Sequence, residues 1–101
     1  MDVQGMKEKL KSYSKRDIVF TDHAEIQAIV RNIEKEEVKE NLVNPRKLSY
    51  VGVQNSPKGE KYECYFAYSE DFAHKYAIST NGKIIIITVI RINRNWRRTI
   101  K

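Results

Sequence analysis

KIIIITVIRI, residues 83–92, decides the fold. Isoleucine, valine and threonine branch at Cβ, which disfavours helix and suits a pleated strand. The apolar side chains are consecutive rather than alternate, so both faces of this strand must be covered and it belongs inside a sheet. Thr88 and Arg91 interrupt the run, and it is too short to span a bilayer as a helix. Upstream, TNG at residues 80–82 reads as a hairpin turn, and residues 74–80 as the preceding strand. SEDF at residues 69–72 is a second turn. Residues 61–68 alternate Lys61, Glu63, Tyr65 and Ala67 against Tyr62, Cys64, Phe66 and Tyr68. NSPKGE at residues 55–60 is a turn by composition. Before it, Leu48, Tyr50, Gly52 and Gln54 alternate with Ser49, Val51 and Val53.

Toward the N-terminus the period changes. Residues 35–43 read as a helix with Val38 and Leu42 inward, stopped by Pro45. Residues 23–31 read as another, with Ile26, Ile29, Val30 and Ile33 at helical spacing on its inward face. Asp22 is the expected N-cap, paired with Glu25. Asn32 tolerates a left-handed helix end, so the two helices are expected to form a tight hairpin. DIVFT, residues 17–21, is a short strand. Residues 1–16 are a basic helix whose Met6, Leu10 and Tyr13 share a docking face. The expected architecture is α+β: an N-terminal helix, a strand, then a two-helix hairpin packed on a largely antiparallel sheet of four to five strands. The expected divisions are an N-terminal basic helix or arm (1–16), the body (17–93) and a basic tail (94–101).

A chain of 101 residues makes one domain with a modest core. A formal charge of +6 favours acidic partners, RNA or an acidic protein, although charge also serves plain solubility. One cysteine, Cys64, forms no internal disulfide and suits a reducing cytosol. MDVQGMKEKL contains no apolar signal segment, so a cytoplasmic, membrane-free protein is expected.

FTDHAEIQAIVRNIEKEEVKENLVNP, residues 20–45, resembles the opening of the small domains known as DUF4258. The matching positions are His23-Ala24, Arg31-Asn32-Ile33, Glu36-Glu37-Val38 and Asn44-Pro45, and the resemblance runs over residues 18–93. Where that pattern has glycine after its arginine, this chain has Asn32. The order of elements also looks like the wider RelE/ParE toxin fold, which includes ribosome-dependent messenger-RNA endonucleases and gyrase-directed toxins. The resemblance implies a small RNA-binding protein, the toxin of a toxin–antitoxin pair or a metal-independent endoribonuclease, with RNA, the ribosome or an acidic antitoxin-like protein as partner. The other reading is a non-catalytic module of the same fold for protein interaction or homodimerisation.

Metal-free RNA cleavage needs a base for the 2′-hydroxyl, an acid for the leaving oxygen and a cation for the phosphate. His23, near a helix start, suits a neutral base or a phosphate contact. Equally, it packs between helix and sheet and builds the corner, and that structural role is the expected one. His74 and Lys75 begin a strand and point to opposite faces. Arg91 ends an apolar row with Ile85, Ile87 and Val89, and antiparallel pairing brings His74 or Lys75 toward it, with Lys61 and Glu63 alongside. Arg31 either holds phosphate or pairs with Glu34 or Glu36. In the tail, Arg94, Arg97, Arg98 and Lys101 surround Trp96, which suits phosphate contacts with base stacking, or a solvated tail with Trp96 tucked onto the core. The two histidines lack metal-ligand spacing, and neither metal nor cofactor is expected.

Overall fold

A computed structural model describes residues 2–57 and 59–100, with the backbone alone at Ser56. Lys58, in the expected 55–60 turn, and Lys101, in the tail, lie outside the described residues. The elements are α1 (Val3–Lys11), β1 (Ile18–Phe20), α2 (Asp22–Val30), α3 (Lys35–Val43), β2 (Leu48–Ser56), β3 (Gly59–Ser69), β4 (Phe72–Thr80) and β5 (Ile84–Ile92). Short 3₁₀ turns cover Lys15–Asp17 and Trp96–Thr99. The chain is α+β, with a five-stranded sheet ordered β1-β5-β4-β3-β2. All neighbours are antiparallel except β1 and β5, which run parallel. As its apolar run requires, β5 lies inside the sheet.

The helices cover one face. Met6 and Leu10 of α1 are fully buried with Val38 and Leu42 of α3 against Tyr76, Ile78, Ile84 and Ile86. The N-terminal helix is therefore built into the main core. The opposite face is open except at one end, where Trp96 and Ile100 close over Tyr65, Ala73 and Ile92.

Four local details differ from the expected pattern. Thr21, not Asp22, caps α2: its hydroxyl accepts from the Ala24 N–H at 3.1 Å. A β-region Thr leaves its oxygen free to turn onto the first helical amides. Secondly, α2 buries Ala24 and Ala28, while Ile26, Ile29 and Val30 stay 60%, 79% and 74% exposed. The alanines let α2 lie close on β5, where Gln27 Oε1 accepts from the Val89 N–H at 2.8 Å. That bond serves a strand amide beyond the reach of β1, whose pairing ends at Phe20–Ile86. Thirdly, α2 lies along β5 and α3 along α1, so the helices do not close into a tight hairpin. Their junction does use Asn32, at φ 55°, in a Schellman end. Ile33 N–H reaches the Ala28 carbonyl at 2.8 Å and Asn32 N–H the Ile29 carbonyl at 3.1 Å. Lastly, register shifts leave Ser49, Tyr68 and Ile87 without a partner in the ladder. Each reverses the parity of the row beyond it. Arg91 consequently shares its face with Val89, Ile86 and Ile84, not with Ile85 and Ile87.

Candidate functional site

The shifted register sends the expected cluster to two faces. His74 and Arg91 are paired across β4 and β5 under the helices. Lys75 points to the open face, where it meets Glu63 at 3.6 Å and lies 5.5 Å from the Tyr65 ring centre.

Under the helices, His74 is fully buried among the rings of Tyr68, Phe72 and Tyr76. Asn41 of α3 donates its two amide hydrogens to the hydroxyls of Tyr68 and Tyr76, both at 2.9 Å. Tyr68 in turn donates to Glu37 at 2.6 Å. The Tyr76 hydroxyl, its oxygen accepting from Asn41, is also hydrogen-bonded to His74 Nδ1 at 2.7 Å. The other ring nitrogen, Nε2, is buried and has no partner. Burial holds the imidazole below the usual histidine range and raises the Tyr68 phenol to about 12. Arg91 donates to the Asn32 carbonyl at 3.2 Å and stacks on Phe72, with its Nε buried and unpartnered. A buried neutral histidine tied to a phenol exchanges no proton with a ligand at the surface.

His23 is exposed at the first turn of α2 and does not pack in the corner, which Thr21 builds. Arg91 contacts Asn32, just past the other end of this nine-residue helix. Those ends lie roughly 13 Å apart, so His23 and His74 form no acid–base pair. Arg31 is the half-buried C-cap of α2, and among the described residues it makes no ion pair; Glu36 is taken by Lys15 at 3.3 Å.

The open face carries the other group. Tyr50, Gly52 and Gln54 of β2, Glu63 and Tyr65 of β3 and Lys75 of β4 line a cleft of about 400 Å³, closed on one side by Thr99 and Ile100. Tyr50 meets Tyr65 edge to face at 5.6 Å, and the Thr99 hydroxyl bonds that of Tyr65 at 3.2 Å. Lys61 stands farther up the same face, opposite Gln54 and Ser79.

Below the cleft the tail is folded down. Trp96 is 4% exposed, its Nε1 donating to the Ser69 carbonyl at 3.0 Å. Its ring anchors the tail and is not free to stack on a base. Asn95 caps the following turn by accepting from the Arg97 N–H at 3.1 Å. Arg94, Arg97 and Arg98 are all exposed, Arg97 lying 4.5 Å over the Trp96 ring. Among the described residues none of the three forms an ion pair. No Asp or Glu follows Asp71 in the chain, and the turn that carries Glu70 and Asp71 packs on the tail, the Glu70 carbonyl accepting from the Trp96 N–H at 3.4 Å.

Sequence reading missed the parts of the cleft supplied by Tyr50, Gly52, Gln54 and Thr99. It also missed the Glu37–Tyr68–Asn41–Tyr76 chain. The Tyr65 row was readable as alternation, but Tyr50 joins it only through the shift at Ser49. Among the described residues, no group of three or more His, Cys, Asp or Glu side chains is placed to hold a metal. No described helix is long and apolar enough to cross a membrane. The chain matches no protein-family model, no curated protein and no solved structure.

Proposed function

We propose that this chain is a small RelE/ParE-like RNA-binding protein that takes single-stranded RNA across the open face of its sheet. The observation that carries the reading is the anchored tail: Arg94, Arg97 and Arg98, exposed and in no ion pair among the described residues, on a segment whose Thr99 and Ile100 close one side of an aromatic-lined cleft. Arginines fixed on a folded turn meet phosphates with little ordering cost, and Tyr50 offers a half-exposed ring at the cleft for stacking. The α+β architecture is compatible with the RelE/ParE resemblance. Strand cleavage has less support, because His23, His74 and Lys75 stand at three separate places.

The test is fluorescence anisotropy with a short labelled single-stranded RNA across a salt series. Affinity should fall steeply with salt, and Arg97→Ala and Arg98→Ala should each reduce the logarithmic slope by about 0.7. Tyr50→Ala should weaken binding by about 1–3 kcal/mol at every salt concentration. The RNA should remain intact with and without ribosomes. Absence of binding at low salt, or affinity indifferent to both arginines, would exclude this face as the RNA surface.

A further inference from the structure

A separate surface lies on α2. Its inward positions hold alanine, while the large apolar side chains of Ile26, Ile29 and Val30 point to solvent. At about 100° per residue these three fall within one arc roughly 100° wide, a continuous ridge along the helix. Close seating of α2 on β5 accounts for the alanines inside. It does not account for isoleucine and valine outside, where any polar helix former would serve the fold.

We propose that this ridge is a homodimer interface, in which α2 packs antiparallel against α2 of a second copy across a two-fold axis. The ridge is self-complementary in that arrangement: Ile29 enters the gap between Ile26 and Val30 of the partner subunit, and the converse holds. From their exposures, the three side chains offer roughly 400 Å² of apolar surface per copy. Two such ridges bury about 800 Å² before their rims are counted, the size of a weak pair that forms only at high concentration.

Charge selects the same occupant. The three ridge residues are uncharged, and the surrounding α2–α3 region sets Asp22, Glu25, Glu34, Glu36, Glu37 and Glu40 against Arg31, Lys35 and Lys39, an acidic excess. That composition disfavours RNA and anionic lipid. Several of these carboxylates are already paired internally: Glu25 with Lys35 at 3.0 Å, and Glu36 and Glu40 with Lys15 at 3.3 and 3.2 Å. These pairings lower the rim's negative charge enough for a second copy to approach, while the remaining acidic excess still disfavours RNA and anionic lipid. Pairing through the ridge does not depend on RNA binding at the open face.

Sedimentation equilibrium of the full chain over a wide concentration range tests it. The average mass should climb from 11.9 kDa toward twice that value as concentration rises to the millimolar range. Ile29→Glu should remain monomeric throughout, with an unchanged circular-dichroism spectrum showing that it still folds. Val53→Glu, on the far edge strand, should dimerise like the parent. A parent chain that stays monomeric overturns the proposal. So does a dimer unaffected by Ile29→Glu, or one broken by Val53→Glu, which would mark pairing through the β2 edge. Flotation of a monomeric parent with phosphatidylserine vesicles, lost in Ile29→Glu, would assign the ridge to a membrane and equally overturn it.

Discussion

Replacing Asn41 by leucine isolates the hydrogen bonding of the buried polar chain. Leucine shares asparagine's branch point and number of side-chain heavy atoms, and the packing cost of its bulkier methyl groups cancels in the double-mutant cycle below. Asn41 is 6% exposed and donates to two phenol oxygens at 2.9 Å. Tyr68 keeps Glu37 as its acceptor and Tyr76 keeps its bond to His74 Nδ1, so neither hydroxyl is left without a partner by the change. The loss is two neutral hydrogen bonds, each worth about 0.5–1.5 kcal/mol net, for a total of about 1–3 kcal/mol. For a domain of this size each kcal/mol moves Tm by about 4–8 °C, so a fall of roughly 4–24 °C is expected. Urea denaturation followed by circular dichroism measures the same loss at constant temperature, and m should not change. Tyr68→Phe then separates the two bonds. Made in the parent chain, it removes a partner of Asn41; made together with Asn41→Leu, it has no such bond left to remove. The double-mutant cycle should give a coupling of about 0.5–1.5 kcal/mol. Stability equal to or above the parent's, or strictly additive single changes, would falsify the assignment of this chain of bonds as stabilising.

Four further outcomes are expected. Burial lowers the folded-state value of His74 below its unfolded value of about 6.5, so between those values the unfolded chain binds more protons. The stability of neutral His74 is thus present above about pH 6.5 and is lost as pH falls below it; urea midpoints from pH 8 to 5 should decline, and His74→Leu should flatten that decline. Trp96→Ala should cost about 3–5 kcal/mol, read by denaturant titration, because the ring is buried against Tyr65. Asn32→Gly should stabilise by about 0.5–1 kcal/mol at its φ of 55°, and Asn32→Ala should destabilise; equal melting temperatures for the two would contradict the left-handed helix end. Burial raises the Cys64 thiol to about 12, so a disulfide reagent at pH 8 should label it only under denaturing conditions.

The order of elements and the identity of the central strand were legible because each rests on a strong local signal. Consecutive branched residues mark β5, and Pro45 and Asn32 bound the two helices. Facing was less legible. Ile26, Ile29 and Val30 have the spacing of a core stripe, and periodicity alone ranks them above Ala24 and Ala28. Backbone satisfaction decided otherwise: the bond from Gln27 to the Val89 amide requires small residues beneath α2. Register shifts were not legible either, since nothing in KIIIITVIRI marks Ile87 as the unpaired residue. One such shift moves Arg91 beneath the helices and parts it from Lys75, which is why the expected cluster divided. Trp96 was placed by a hydrogen bond to the Ser69 carbonyl, a contact between the tail and a distant turn that no pattern within RINRNWRRTIK contains.

The parallel pairing of β1 with β5 gives the chain an uneven assembly order. Strands β2 to β5 are each joined to the next in sequence, so their ladders close through short loops. β1 meets β5 only after the chain between Ile18 and Ile84 has been brought round, and three residue pairs hold the junction. Loop closure costs entropy before such a contact forms, so distant pairing comes late. The meander therefore offers a template before β1 arrives, and the N-terminal segment docks onto a sheet whose edge is already drawn. In the native state the same asymmetry makes β1 the natural place for the sheet to open first, exposing the flank of β5 without unravelling the hairpins beside it.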